Sequence, residues 1–391
     1  MSKVALVQNY LGLDGRSRTL LSIIELLNTR GIVPDVHSFS GAADEGRFRS
    51  LGTVPLDFNL RTLARPRLLL GDLLQELAVP YLFRRHLQGY DLVFTNATAC
   101  YGYPRDLPLL RLVCFPLEQV RRYEARYKET AYRVYGSISA VLYQIASRDC
   151  DFHGRWLANS QFTRRVMAQT YPLSEDEIDV VYAPVPTRGT SLAGTRSRAV
   201  VSIGGFHEDK RQLEQIEIAR RLPDTQFTLI GSARSRSYFN RCVEAAAGLD
   251  NVQLLPDASN QQIEASLQDA KVFLHSKRFE HFGISTIEGI AQGCVPVVHD
   301  SGGQQEVVPF DELRYRNVSE ATLTIKAALD GQFDEMVPRL QSHIQGFSNE
   351  CFKERMSRLL DEMGIKAPIS ASSSHLVAMH SPATRTGPDK D

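Results

Sequence analysis

The sequence predicts an α/β protein built of two doubly wound units, each a parallel sheet with helices on both faces, and three observations carry that reading. Short apolar runs of strand length alternate with amphipathic segments of helix length in both halves of the chain, the rhythm of βαβ units rather than of hairpins. Glycine-containing loops follow several of the apolar runs, at the place where open α/β sheets bind ligands. Between the two rhythms, Pro184 to Arg198 is rich in Pro, Gly, Ser and Thr, the composition of a hinge. At 391 residues the chain has room for two domains of ordinary size, predicted here as 1–185 and 199–345 with a linker at 186–198.

In chain order, Val4 to Val7 is a first strand, Leu11 to Gly15 (LGLDG) a loop and Ser17 to Thr29 an amphipathic helix. Asp91 to Thr95 and Leu112 to Phe115 are later strands of the first domain. The second rhythm has strands at Ala199 to Ile203, Phe227 to Ile230, Val252 to Leu255, Val272 to Leu274 and Val295 to Val298. Glu350 to Met363 is periodic and predicts a final helix within 346–365, and the Ser, Pro and Thr content of 366–391 predicts a disordered tail.

Composition excludes several function classes. Lys plus Arg and Asp plus Glu both number 45, so no global field attracts nucleic acid, and any membrane attraction must come from local patches. The six cysteines form no C-x-x-C pair and no small disulfide framework, which points to a reducing compartment. MSKVALVQNY lacks a signal-peptide core, and the longest uncharged apolar run, Val134 to Ser147, is shorter than the ~18 residues a spanning helix needs. The expectation is a cytoplasmic protein, soluble or peripheral on the cytoplasmic membrane face. Neither G-L-D-G nor I-G-G-F supplies G-x-G-x-x-G, which argues against an NAD-dependent oxidoreductase. Asp149-Cys150-Asp151 lies outside a strand end and reads as a solvated turn, and His275, His281 and His299 lack metal-ligand spacing, so no metal is expected.

Most of the chemistry lies in Lys277 to Glu306, KRFEHFGISTIEGIAQGCVPVVHDSGGQQE. Ala270 to Leu274 upstream is a buried-strand run, and Ile287, Ile290 and Ala291 mark one face of a helix, so the segment reads strand, loop, helix, strand. In that setting the amides of Phe282, Gly283 and Ile284 face an anion at the helix mouth, with Gly283 permitting close approach. Glu280 precedes the turn, and Glu288, further along the helix, faces neutral hydroxyls of the same ligand. A second glycine pair, Gly302 and Gly303, follows the next apolar strand. A phosphate plus hydroxyls describes a sugar nucleotide.

The composite pattern, E-x7-E with an interior F-G, then G-x-P-V-V, then G-G-x-x-E, resembles the donor site of the retaining family 4 glycosyltransferases of the GT-B fold, over roughly residues 156 to 310. The WLANSQFT segment at Trp156 to Thr163 and VVYAPV at Val180 to Val185 resemble the family's strand end and the strand into the interdomain linker. That resemblance implies two Rossmann-like domains facing across a cleft, with the terminal helix crossing back to the first domain. Val200 to Arg211 (VVSIGGFHEDKR) is similar to the family's first donor-domain strand and loop, in which an Arg and a Lys five apart hold the diphosphate. Lys210 matches the Lys, and Gly205 stands in the Arg position. EHFGI, GGFHEDK and FPLEQVRRYEARY look most like the α-1,2-mannosyltransferase branch that extends lipid-linked oligosaccharides from GDP-mannose. In that branch the basic residue is three before the Lys, where this chain has His207, and Cys114 in Cys114-Phe115-Pro116 stands where the branch carries a His.

The resemblance therefore implies a metal-independent hexosyltransferase that uses a nucleotide sugar, GDP-mannose foremost, as co-substrate and a glycan or lipid-linked acceptor. Lys210, Glu280 and His207 are the implied catalytic set. Gly15, Gly204, Gly205, Lys210, Arg211, Phe282, Gly283, Ile284 and Glu288 are the implied donor contacts, with Glu280 on the sugar and Glu288 on the ribose. Cys114, Arg121 and Arg122 are implied on the acceptor side. UDP-hexose as donor, a catalytically silent accessory subunit that binds a sugar nucleotide, and an epimerase on the same fold stay open. So does membrane contact by Arg61 to Arg85 or Arg121 to Arg133, where arginines interleave with leucines or tyrosines.

Overall fold

The structure is a computed structural model, which describes residues 2–12, 14–52, 54–63, 72–96, 102–124, 130–148, 152–187 and 196–366. The tail from 367 on, most of the linker, and Asp149-Cys150-Asp151 lie outside the described residues.

Two parallel sheets form the frame. The first has seven strands, β1 (Val4–Val7), β2 (Asp35–Ser38), β3 (Asn59–Thr62), β4 (Leu92–Thr95), β5 (Leu109–Val113), β6 (Arg155–Ala158) and β7 (Ile178–Val180), in the order β3-β2-β1-β4-β5-β6-β7. The second has six, β8 (Ser197–Ile203), β9 (Gln226–Gly231), β10 (Val252–Pro256), β11 (Ala270–His275), β12 (Val295–His299) and β13 (Arg314–Tyr315), in the order β10-β9-β8-β11-β12-β13. Both sheets reverse direction beside their first strand, so the switch points lie between β1 and β4 and between β8 and β11. Ligands of open α/β sheets bind at the carboxyl ends of such strands. This is the GT-B architecture.

The strands that read as near-continuous apolar runs are buried on both faces, as in Val4 to Val7 and Val295 to His299. The strands missed in the sequence lack that signal. β3 is the edge strand NLRT, three of its four residues exposed, and β13 has only two residues. The first helix, Gly15–Thr29, starts two residues earlier than its apolar periodicity suggests, because the Asp14 carboxylate accepts from the Ser17 amide at 2.9 Å and caps it. The final helix, Asn349–Glu362, is capped by Ser348 and inserts Phe352, Met356, Leu359 and Leu360 into the core of the first sheet. It crosses back as the GT-B resemblance implies, and Arg30 fixes it by donating to Asp361 at 2.8 Å and to the Ser357 carbonyl at 2.8 Å.

Candidate active site

The cleft between the sheets encloses a cavity of about 530 Å³ whose wall includes Gly15, Cys114, Gly204, Lys210, Glu280, Phe282, Gly283, Ile284 and Glu288. Residues remote in the chain, such as Gly15 and Glu288, meet there. Gly204 and Lys210 arrive from the loop after β8 and Glu280 from the loop after β11, the two strands that flank the switch point. Gly15 opens the first helix from the other side, and a Cβ there would lie 2.7 Å from Ile284 Cδ1. A larger residue at position 15 would therefore have to displace the end of the Ile284 side chain.

The helix Ile284–Ala291 presents its amino end to the cavity. Gly283 adopts φ +123°, and a Cβ would lie 2.8 Å from Gln304 Nε2, so both conformation and space select glycine. The first intrahelical bonds run from the Thr286 and Ile287 amides to the Gly283 carbonyl. The amides ahead of them stand at the helix mouth, where the dipole favours an anion. Phe282, 3% exposed, fixes the turn by stacking on Tyr182 at 5.4 Å.

Glu280 is the electrostatic centre. Its carboxylate accepts from Lys210 Nζ at 2.6 Å and lies 3.4 Å from Lys277 Nζ and 3.2 Å from His275 Nε2. Burial pushes its pKa up, yet the Lys210 and Lys277 ammonium groups and the His275 bond win and hold it well below the usual carboxylate range. The same carboxylate, with Glu124 and Asp209, keeps Lys277 charged against its burial. On the first domain, Arg16 donates to Glu76 at 2.5 Å, and Arg18 donates to Glu288 Oε1 at 2.6 Å across the cleft. Burial opposes the charge of Arg16, but Glu76 overrides it and raises its pKa.

Three of the implied catalytic and donor residues, Gly205, His207 and Arg211, stand outside the cavity's wall. Arg211 has φ 59° at the start of the helix Gln212–Arg220, and its guanidinium is turned onto Glu214, at 2.9 Å from Nε and 2.5 Å from Nη2. His207 Nδ1 lies 3.4 Å from Asp209 Oδ2. Gly205 sits against Ser232, whose Oγ would be 3.2 Å from an added Cβ. Arg16 and Arg18 of the first domain also line the cavity, each paired with a carboxylate. Arg122 is exposed with its guanidinium over the Tyr123 ring, and the Arg121 side chain lies outside the described residues. Burial pushes the Cys114 thiol up to about 11, so it faces the cavity as a neutral thiol.

Further contacts clamp the two domains. Glu306 accepts from the Gln161 and Phe162 amides, each at 2.8 Å, and so caps the helix Gln161–Thr170 from the opposite domain. The His281 ring stacks on Phe115 with centroids 4.0 Å apart and planes at 4°. Arg18 and Glu76 carry no sequence signal, and the pairings of Arg16 with Glu76 and of Phe115 with His281 join residues remote in the chain.

Four imidazoles are held neutral by burial: His37 and His299 at about 4, His275 below its ordinary value and His281 well below it. Each folded pKa lies under the unfolded value, so the unfolded chain takes up protons that the native state refuses. Stability should be complete above about pH 6.5 and fall as pH drops toward 4, each group contributing at most ~1.4 kcal/mol per pH unit. Urea midpoints at pH 7 and pH 5 measure this, with a lower midpoint expected at pH 5; equal midpoints would contradict it.

Comparison with known proteins bears on the fold and the family. Residues 188–317 match the family model described as glycosyl transferases group 1. A Dictyostelium discoideum GDP-Man:Man(3)GlcNAc(2)-PP-Dol alpha-1,2-mannosyltransferase is 26% identical over 228 residues, covering 51% of this chain and 43% of that protein. A Xanthomonas campestris GDP-mannose:cellobiosyl-diphosphopolyprenol alpha-mannosyltransferase is 24% identical over 258 residues, 61% of this chain and 63% of that one. Each match spans less than two thirds of the relative's length. Among solved structures, WaaG, a glycosyltransferase involved in lipopolysaccharide biosynthesis, superposes with TM-score 0.69 at 14% identity over 91% of this chain and 99% of its own. A glycosyltransferase from Rickettsia africae gives 0.65 at 16% over 93% and 98%.

Proposed function

We propose that this chain, a GT-B protein whose residues 188–317 match the family model described as glycosyl transferases group 1, transfers mannose from GDP-mannose, with retention, to a lipid-linked saccharide. The observation that carries this reading is the Lys210–Glu280 pair at 2.6 Å in a cavity that also holds the mouth of the Ile284–Ala291 helix. The relatives with the words GDP-mannose and diphosphopolyprenol or PP-Dol in their names support donor and acceptor class.

Breaking the anomeric bond leaves an oxocarbenium-like sugar and a diphosphate with new negative charge, so stabilisation of the leaving group by preorganised donors is the main catalytic task. Lys210 and the helix-mouth amides supply it, with Arg16 and Arg18 facing them across the cleft. Glu280, kept ionised by its cations, accepts hydroxyls of the sugar, and Glu288 accepts those of the ribose. Arg18 occupies Glu288 in this structure, so the ribose either displaces it or shares the carboxylate. The acceptor hydroxyl attacks on the leaving-group face and passes its proton to the departing phosphate.

The test is incubation of the purified protein with GDP-mannose and polyprenyl-diphosphate-linked saccharides, with the anomeric configuration of the product read by NMR. An α-mannosylated lipid-linked product is expected. Turnover with UDP-hexoses alone would move the donor assignment, product without acceptor would favour an epimerase, and GDP binding without any turnover would favour an accessory subunit. Glu288→Gln should weaken GDP binding by ~1.5–3 kcal/mol, the scale of hydrogen bonds to a charged group. Unchanged affinity in a titration would remove Glu288 from the ribose.

A further inference from the structure

The helix Thr130–Arg148 turns its apolar side to solvent. Val134, Ile138, Val141, Leu142 and Ile145 are between 37% and 58% exposed. At ~100° per residue they fall within an arc of about 100°, a single continuous stripe. The opposite side carries Ser139 and Tyr143, each 1% exposed, and packs against the helix Asp72–Phe83 and the turn Leu117–Gln119. An ordinary surface helix has the reverse arrangement. Tyr81 and Leu82, at 42% and 37% exposure near the end of the neighbouring helix, add to the exposed apolar surface. Scattered exposed hydrophobics need no explanation, but an aligned stripe marks an interaction site.

Charge identifies the occupant. From Thr130 to Arg148 the sequence has no Asp or Glu, and its only charged residues are Arg133 and Arg148 near the two ends. Arg84, Arg85 and Arg122 are exposed on adjoining elements. The carboxylates on the elements packed beneath face inward, Glu76 onto Arg16 and Glu118 onto the Tyr171 hydroxyl at 3.2 Å. An aliphatic stripe on a helix without carboxylates, with exposed arginines on adjoining elements, complements an acidic, oily surface.

We propose that this face docks the protein on an anionic phospholipid bilayer, the aliphatic side chains entering the interface and the arginines meeting lipid phosphates. The helix lies on the bilayer rather than through it, since its other side is committed to the protein core; among the described residues no helix is long and apolar enough to cross a membrane. Of the stretches noted in the sequence, Arg61 to Arg85 contributes only its end: Leu77 packs inward against a buried cluster, and Leu68 to Leu70 lie outside the described residues. The docking helix follows β5 in the chain, and Cys114, the residue after β5, lines the cavity. On the reading of a lipid-linked acceptor, one domain thus carries both the membrane contact and part of the acceptor side.

The experiment is flotation of the full chain with vesicles of phosphatidylcholine alone or with about 30% phosphatidylglycerol, comparing wild type with the double variant Ile138→Glu and Ile145→Glu. Both positions are more than half exposed, so the fold should persist, and unchanged GDP affinity would verify it. Binding to the anionic vesicles is expected, weakened by added salt and at least ~tenfold in the double variant. No vesicle binding by wild type, equal binding by the variant, or a wild-type dimer that the variant splits with no vesicle binding would overturn the proposal, the last favouring a second copy of this chain as occupant. Flotation needs no turnover, so docking can fail while transfer stands, and the reverse.

Discussion

Lys210→Ala should lower kcat for mannosyl transfer by about 10²–10³-fold, the loss of ~2.7–4 kcal/mol that follows removal of one preorganised donor to a developing negative charge. No neighbour is placed to substitute. Arg211 is held by Glu214, His207 faces Asp209, and Arg16 and Arg18 are engaged by Glu76 and Glu288 from the opposite domain. Lys277 is close to Glu280 but 7% exposed, behind the cavity wall rather than on it. Steady-state kinetics with a thermal melt as the folding control provide the check. A loss below about threefold would mean that the helix-mouth amides and the first-domain arginines carry the diphosphate without Lys210.

Glu280→Ala is expected to be as severe, but on stability as well as turnover. The carboxylate is the shared partner of Lys210, Lys277 and His275, and deleting it leaves Lys277 a buried cation stabilised only by Glu124 and Asp209. Breaking a buried pair by removing one partner costs about 3–5 kcal/mol. A clean division in which Glu280 touches only the sugar is therefore replaced by one in which Glu280 also positions Lys210, so nucleotide affinity should fall too. The pH sign follows from the depressed carboxylate pKa: its stabilisation is present above the unfolded value near 4.5 and is lost as pH falls through the lower folded value. Urea unfolding at pH 7 measures the effect. A change under about 1 kcal/mol would show that Lys210 and Lys277 find other partners.

The two sheets were legible because fully buried strands announce themselves as apolar runs, and the donor loop because close backbone approach restricts it to glycine. Gly283, with φ +123° and Gln304 at 2.8 Å from any Cβ, is such a position. The electrostatics of the site were half legible. Lys210 and Glu280 each lie beside a glycine loop, whereas the Arg18–Glu288 pair joins residues 270 apart and exists only because the domains meet. Glu306 shows the same limit: its motif suggests a loop at the sheet edge, and nothing local reveals that it caps a helix of the other domain. In the helix Thr130–Arg148 the apolar run was visible, but which way it faces depends on what packs beneath it.

The central claim, that this cavity takes a guanosine diphosphate sugar through Lys210 and Glu288, is tested most directly by calorimetric titration of the purified full chain with GDP, repeated on Lys210→Ala and Glu288→Gln. The account predicts saturable binding by wild type, at least ~tenfold weaker in each variant, because each removes a charge-assisted contact to the nucleotide. Absence of GDP binding, or the same affinity in all three proteins, would contradict it.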